Sequence, residues 1–130
     1  MIPMSITNYF KSTNHPGLAL GYGESKDGSQ TGFSLVDAKT GDSYGYVTLT
    51  HSEEDPTMAE VTGLYVNPEH RRKGYGSILA EAAREMHPDK FLWVKPDPYK
   101  DRTVTSAHIA KVYQKAGYLP HPKLPDIYTS

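Results

Sequence analysis

The fold is decided by residues 58–86, which read MAEVTGLYVNPEHRRKGYGSILAEAAREM. The first nine of these residues are mostly apolar, and they predict a strand. From Gly76 onward the apolar residues recur at helical spacing, at Ile78, Leu79, Ala82, Ala83 and Met86. This periodicity predicts a helix with one apolar face. A strand therefore leads into a helix through a loop that carries three successive cations and two glycines.

The loop between this strand and this helix suits an anion. The start of a helix leaves its first N–H groups unpaired and carries about half a positive charge. Gly74 and Gly76 let a ligand approach the main chain without meeting a Cβ atom. Three successive side chains, Arg71, Arg72 and Lys73, add mobile positive charge. The loop is therefore interpreted as a pyrophosphate site that is held largely by backbone amides.

Two other phosphate loops are excluded by the residues present. The dinucleotide-binding fingerprint requires a third glycine where Leu79 stands, and the ATP-binding loop requires Gly-Lys followed by Ser or Thr. Taken alone, the loop also fits a solvated basic turn that binds nothing.

Alternating apolar residues upstream predict an antiparallel meander. Residues 31–37 and 43–50 flank a glycine-containing turn at 38–42, which is typical of a β-hairpin. A second, acidic turn at 51–56 leads to the strand at 58–66, and an apolar island at 17–22 is interpreted as a short additional strand.

A second strand and a second helix follow the first helix. Pro88 ends the first helix because proline cannot continue it, and residues 91–94 are apolar at every position, as expected of a strand covered on both faces. The second helix is marked by Ile109, Val112, Tyr113 and Ala116, with Thr105 or Ser106 as its N-cap and Gly117 at its end. Short extended pieces are expected around residues 118 and 127. The order predicts one mixed α/β (α+β) domain over residues 1–130.

Composition excludes several function classes. The 130 residues include no cysteine, so the chain has no disulfide, no thiolate metal site and no cysteine nucleophile. A net charge of −1 makes nucleic acid an unfavourable partner. No apolar run is long enough to cross a membrane and the N-terminus is unlike a signal peptide, so we expect a cytoplasmic protein without a membrane partner. The histidines, at positions 15, 51, 70, 87, 108 and 121, lack metal-ligand spacing and are interpreted as surface or loop residues, so no metal is expected.

Two motifs resemble the GNAT superfamily of N-acetyltransferases. Residues 60–76 are similar to the cofactor-binding strand and loop of that family, whose signature Gln/Arg-x-x-Gly-x-Gly/Ala is filled by Arg71, Gly74 and Gly76. Residues 113–118 match the family's Tyr-x-x-x-Gly-aromatic ending. The resemblance implies acetyl-CoA as co-substrate. It also implies a GNAT-like mixed central sheet with an antiparallel meander, a cofactor-binding strand, loop and helix, a buried parallel strand and a second helix.

The same resemblance assigns cofactor-binding residues. The pantetheine arm is expected in a splay between residues 64–66 and 91–94, and the pyrophosphate on the amides of the loop. The residues so assigned are Leu64, Tyr65, Val66, Arg71, Arg72, Lys73, Gly74, Tyr75, Gly76 and Ser77. Ser106 stands where the family often has an asparagine that contacts pantetheine, and Ile109 stands where alanine is usual.

Two side chains are candidates for proton transfer. Acetyl transfer to an amine needs a neutral nucleophile and a proton for the departing sulfur. Because the chain has no cysteine, direct attack in a ternary complex is the simplest route. Tyr113 matches the family's general acid, although an aromatic side chain packed in the core fits the same position. Glu60 matches the general base of protein-acetylating members, although an exposed carboxylate at a strand end is equally consistent.

The acceptor is expected to be a lysine or N-terminal amine of a protein or peptide. The family usually has two helices over the acceptor site after its first strand, and residues 23–30 are too few to form them. The resulting open groove, with Glu53, Glu54 and Asp55 in an acidic turn, favours a basic segment. A non-catalytic acyl-CoA-binding regulatory or interaction module with the same fold remains an alternative, as does an interaction protein of unrelated ancestry. The sequence does not distinguish a monomer from a homodimer, or acetyl from a longer acyl group.

Overall fold

A computed structural model describes residues 4–7, 15, 17–98 and 103–130, and these contain one mixed sheet and two α-helices. The strands are β1 (Met4–Thr7), β2 (Leu18–Glu24), β3 (Gln30–Asp37), β4 (Ser43–His51), β5 (Met58–Val66), β6 (Phe91–Val94), β7 (Leu119–Pro120) and β8 (Tyr128–Thr129). The helices are α1 (Tyr75–Met86) and α2 (Ser106–Lys115). The order of the eight strands across the sheet is β1-β2-β3-β4-β5-β6-β8-β7.

The predicted meander is confirmed, because β2, β3, β4 and β5 each pair antiparallel with the next strand. Strand β1 pairs with β2 and was not predicted from the sequence.

A tight turn at 25–29 joins β2 to β3. In this turn Asp27 accepts hydrogen bonds from the N–H of Ser29 at 3.0 Å and from the hydroxyl of Ser25 at 2.8 Å. The hydrogen bonds from Ser29, followed by that from Ser25, lower the pKa of Asp27 to about 2. As expected for residues 23–30, this turn is too short to hold two helices.

Strands β5 and β6 are parallel for three residues and then diverge. Met58 pairs with Phe91, and Glu60 is the last residue of β5 that pairs with β6, opposite Trp93. Beyond Glu60, β5 continues to Val66 without a partner strand on the side of β6. Strand β6 pairs antiparallel with β8. The backbone of Ser130 extends this second pairing, because its N–H donates to the carbonyl of Leu92 at 2.9 Å.

The expectation that residues 91–94 are covered on both faces is wrong. Leu92 and Val94 are buried, but Phe91 is 44% exposed and Trp93 is half-buried. Side chains of a strand alternate between the two faces of a sheet, and only the face with Leu92 and Val94 belongs to the core. The sequence could not reveal this, because the residues on both faces are apolar.

The core lies between the helices and the middle of the sheet. Helix α1 packs on β3, β4 and β5, and α2 packs on α1. Of the predicted apolar face of α1, Leu79, Ala82 and Ala83 are buried and Ile78 is half-buried, but Met86 is 39% exposed. Gly74, with a φ of 82°, precedes α1. Thr105 rather than Ser106 caps α2, because its hydroxyl oxygen accepts from the N–H of His108 at 3.2 Å.

Two of the histidines that were interpreted as surface or loop residues pack against each other. The rings of His51, at the end of β4, and His87, after α1, lie edge to face with centroids 5.4 Å apart. The Nε2 atom of His51 is 3.0 Å from the hydroxyl of the buried Thr31. Among the described residues, no group of three or more His, Cys, Asp or Glu side chains could hold a metal ion.

Candidate active site

Two clefts follow one another along β5, where its edge is free of β6. The first, which we name the strand cleft, encloses about 560 Å³. It is lined by Tyr46, residues 60–65 of β5, residues 94–98, and Ile109 and Tyr113 of α2. The second, which we name the cation cleft, encloses about 290 Å³. It is lined by Val66, His70, Arg71, Arg72, residues 74–77, Val104, His108, Lys111, Val112 and Lys115. Tyr65 lines the first cleft and Val66 the second, so the clefts are neighbours along the strand.

A β-bulge shapes the strand cleft. Thr48 pairs with Gly63 and Leu49 with Val61, so Thr62 is the extra residue in β5. The hydroxyl of Thr62 lies 3.2 Å from that of Thr48. A Cβ atom on Gly63 would lie only 2.8 Å from the Thr48 hydroxyl, so the pair packs too closely for a side chain there. Gly63 thus lies at a bulge and also in a close packing contact.

Glu60 lies within the strand cleft and is half-buried. Burial raises the pKa of its carboxyl group, and the negative charge of Asp97 raises it further. Glu60 is therefore not the exposed strand-end carboxylate that the sequence also allowed. Asp97, in the segment after β6, lines the same cleft. Sequence reasoning missed Asp97, because the divergence of the strands decides which part of that segment faces Glu60.

Tyr113 lines the strand cleft from α2 and also packs in the core. Its side chain is 2% exposed, and its ring contacts Tyr118 edge to face at 5.2 Å. The hydroxyl of Tyr118 donates to the carbonyl of Ala80 at 2.9 Å, and burial raises the pKa of Tyr118. The two interpretations of Tyr113 from the sequence, a core aromatic and a residue of the reaction site, are thus compatible.

The far wall of the strand cleft differs from the expected one. The resemblance implied a splay between residues 64–66 and 91–94. Phe91 and Trp93 are instead in the paired part of the sheet, and the wall is formed by residues 94–98. Val94 and Pro96 are the buried members of this wall, and Lys95, Asp97 and Pro98 are its exposed members.

Arg71 is a fixed residue, so the expectation of mobile charge is wrong for this side chain. Its Nε donates to the carbonyl of Val66 at 2.9 Å, and its Nη1 donates to the hydroxyl of Thr103 at 2.6 Å. Its guanidinium also lies 5.5 Å from the ring centroid of Tyr65. Arg71 therefore ties the end of β5 to the segment before α2.

The next two cations are exposed. Arg72 has a φ of 64°, which for a residue with a side chain costs about 1–2 kcal/mol. A strained residue in a loop is a candidate for function, and Arg72 lines the cation cleft. Lys73 is exposed and lies outside both clefts as the described residues define them.

The start of α1 supplies backbone donors to the cation cleft. The first hydrogen bond of the helix runs from the N–H of Ile78 to the carbonyl of Gly74 at 3.1 Å. The N–H groups of Tyr75, Gly76 and Ser77 therefore have no partner within the helix. A Cβ atom on Gly74 would meet nothing within 4 Å, so the approach to these amides is open. The donors and the cations around them fit a diphosphate.

The structure brings most of the predicted cofactor residues to these clefts. Leu64 and Tyr65 line the strand cleft together with Glu60 and Tyr113. Ser106 is exposed at the first turn of α2, outside both clefts as the described residues define them. Three further cleft residues were missed by the sequence analysis, namely His108, Lys111 and Lys115. Their spacing of three and four residues could have indicated a common helix face.

Comparisons with known proteins agree with this geometry. A family model described as the acetyltransferase (GNAT) family matches residues 5–118. No curated protein matches the sequence significantly. Within the described part of the chain, no helix is long and apolar enough to span a membrane.

Several solved structures are similar in fold. A Desulfovibrio desulfuricans protein described as an acetyltransferase of the GNAT family has a TM-score of 0.59 and 13% identity over 80% of this chain and 70% of its own. The spermidine N-acetyltransferase of Vibrio cholerae, in complex with CoA and spermine, has a TM-score of 0.57 and 18% identity over 80% of this chain and 65% of its own. A Klebsiella pneumoniae protein described as an acyl-CoA N-acyltransferase has a TM-score of 0.55 and 17% identity over 100% of this chain and 97% of its own. At these identities the likeness concerns the fold alone.

Proposed function

Because the chain belongs to the GNAT acetyltransferase family, we propose that it transfers an acetyl group from acetyl-CoA to a primary amine by direct attack in a ternary complex. The observation that carries this proposal is that Glu60 and Tyr113 line one cleft, and that its neighbour along β5 is a cleft lined with cations. The first cleft offers groups for proton transfer, and the second offers groups that bind phosphate.

The residues present suit acetyl-CoA. Its diphosphate would lie at the N–H groups of Tyr75, Gly76 and Ser77, beside Arg72. Its pantetheine arm would extend along Leu64 and Tyr65, where β5 has no partner strand on the side of β6. Bound in this way, acetyl-CoA supplies an activated thioester carbonyl. The structural likeness to a V. cholerae enzyme solved with CoA supports this assignment.

Glu60 and Tyr113 take complementary parts in the proposed reaction. The amine nitrogen attacks the thioester carbonyl, so a C–N bond forms and the C–S bond breaks. Glu60 accepts the proton that the nitrogen loses, and the raised pKa of Glu60 makes it a stronger base than an ordinary carboxylate. Tyr113 donates a proton to the departing thiolate. The products are an amide and CoA. The proton taken by Glu60 returns to solvent, and Tyr113 regains its proton from solvent.

We further propose that the acceptor is a lysine or N-terminal amine on a protein or peptide. Small-molecule sites are usually concave and bury most of the ligand. Here the turn at 25–29 replaces the helices that would close one side, and Tyr46 at the cleft is 45% exposed. The exposed Glu53 and Glu54 lie in the turn that leads into β5, and their charges favour a basic segment. Asp55 instead holds that turn, because its carboxylate accepts from the N–H of Thr57 at 3.0 Å.

A small polyamine is the competing acceptor, because the V. cholerae relative is a spermidine enzyme. The test is a thioester-release assay over basic peptides, spermidine, aminoglycosides and free amino acids at matched amine concentration. We expect peptides to have the highest kcat/KM. Efficient turnover of a free amine with inert peptides would contradict the acceptor proposal. Binding of acetyl-CoA without turnover of any amine would contradict the enzymatic proposal and favour a non-catalytic acyl-CoA-binding module.

A further inference from the structure

Helix α2 presents a row of basic side chains to the cation cleft. His108, Lys111 and Lys115 line it and are spaced three and four residues apart, so they lie on one face of the helix. They stand across the cleft from Arg72 and the start of α1. The two walls touch at Ser77 and Val112, where the hydroxyl of Ser77 donates to the carbonyl of Val112 at 3.2 Å. Lys111 and Lys115 therefore flank the contact between the two helices.

The charge of this cleft is unbalanced. Arginine and lysine side chains line it from both walls, and no carboxylate lines it within the described part of the chain. At its rim, Oε1 of Glu69 lies 3.9 Å from Nε2 of His70. Like charges that share a small cleft repel one another, and a bound polyanion removes that repulsion. The cleft therefore suits a ligand that carries more than one anionic group.

The two walls suit different phosphate groups. The wall at α1 consists of backbone N–H groups, which are fixed in direction and suit a diphosphate. The wall at α2 ends in ammonium groups on flexible stems, which act as point charges for phosphate. A phosphate monoester carries close to two negative charges at neutral pH, so it gains more from two lysines than a singly charged phosphodiester does. The α2 wall is thus a second anionic subsite beside the diphosphate.

We propose that Lys111 and Lys115 bind the 3′-phosphate of the nucleotide part of CoA and make the protein selective for the 3′-phosphorylated cofactor. This inference rests on the proposed function, because it takes CoA as the ligand of the cation cleft. It adds a specificity determinant on α2, outside the loop and helix start that hold the diphosphate. The binding energy comes from two charge-assisted contacts to one terminal group.

The test compares the dissociation constants of CoA and 3′-dephospho-CoA by titration calorimetry at two salt concentrations. The proteins are the wild type, Lys111→Gln/Lys115→Gln, and the control Lys39→Gln, which changes an exposed lysine in the turn between β3 and β4. We expect the wild type and the control to bind CoA about ten-fold tighter, or more, than they bind 3′-dephospho-CoA. This is the usual effect of losing hydrogen bonds to a charged group. The double variant should bind the two ligands equally, with a weaker salt dependence for CoA.

Each contrary outcome has a distinct meaning. Equal affinities in the wild type, or a double variant in which both ligands weaken by the same factor, would overturn the 3′-phosphate site and leave the proposed function standing. Binding of neither ligand to the wild type would overturn both. Selectivity for CoA without acetyl transfer to any amine would overturn the enzymatic proposal alone. Unfolding midpoints without ligand show whether the double variant is folded, and Lys111→Gln alone serves if it is not.

Discussion

Gly76 and Val112 bring the start of α1 against the middle of α2, and a Cβ atom on Gly76 would lie 3.1 Å from Cγ1 of Val112. Gly76 therefore has a packing role in addition to its place in the phosphate loop. We expect Gly76→Ala to lower the free energy of unfolding by about 1 kcal/mol, because valine has little rotamer freedom in a helix and the new methyl group overpacks the contact. Urea unfolding of the unliganded protein measures this change.

The matched control for this prediction is the same change in a Val112→Ala background. There the clash is removed, and Gly76→Ala should become neutral or stabilising, since alanine is a better helix former than glycine. An equal loss of stability in both backgrounds would contradict the contact between Gly76 and Val112.

Tyr113→Phe should lower kcat while cofactor affinity changes little. The ring that packs on Tyr118 is retained, so the variant should remain folded. Loss of a general acid usually reduces the rate by roughly 10²–10⁴ fold. The control Tyr118→Phe removes the hydrogen bond to Ala80 and should cost about 1 kcal/mol of stability without slowing the chemical step. A Tyr113→Phe enzyme as fast as the wild type would make Tyr113 a packing residue only.

Glu60→Gln should remove the ionisation of Glu60 from the acidic limb of the kcat/KM profile against pH and leave that of the amine. A glutamine accepts no proton, so the remaining activity should depend on pH only through the amine and other groups. An unchanged acidic limb would exclude Glu60 as the base.

Asp97→Asn should move the same acidic limb to lower pH. The negative charge of Asp97 helps to raise the pKa of Glu60. Its removal lowers that pKa, and the base is then ionised at a lower pH. Asp42→Asn, a change in the turn between β3 and β4, is the matched control and should leave the limb in place. A shift toward higher pH would show that Asp97 does not act on Glu60 through its charge.

The packed histidines should make stability depend on pH. Burial lowers the pKa of both His51 and His87, with Lys90 adding to the effect on His51 and the charge of His51 adding to that on His87. The neutral rings are thus favoured in the folded state. Their contribution is present above about pH 6.5, the value of an unperturbed histidine, and is lost as the pH falls through the folded pKa values.

Chemical unfolding at pH 7.5 and pH 5 checks this expectation. His87→Phe keeps an aromatic ring beside Phe33, whose centroid lies 5.8 Å from that of His87. The variant should lose less stability than the wild type on acidification. The same loss in both proteins would show that His87 does not contribute to the pH dependence.

Local periodicity was sufficient to predict most elements. Strands β5 and β6 lie where the sequence placed them, because turn residues or proline mark their ends. Strand β1 was missed because its alternation of apolar and polar residues, at Met4–Thr7, extends over only four residues. The prediction that both faces of β6 are covered was wrong, because the apolar pattern does not show whether a neighbouring element covers a face.

The site was predictable only where a motif is continuous in sequence. Residues 71–77 form such a motif, and most of them line the cation cleft. Asp97, Lys111 and Lys115 lie in other segments, and only the divergence of β5 from β6 and the packing of α2 on α1 bring them to the clefts. The fixed position of Arg71 was also unpredictable, because its partner Thr103 lies in a distant part of the chain.

The pairing of β8 with β6 has a consequence for association between molecules. Ser130 and β8 use the hydrogen-bonding groups on the outer side of β6, including the N–H of Leu92, which donates to the hydroxyl of Ser130 at 2.9 Å. Without residues 128–130, β6 would become a sheet edge with unpaired donors and acceptors beside the exposed Phe91. Such an edge is a template for strand exchange and aggregation. Strand β8 and Ser130 thus protect β6 from pairing with another chain.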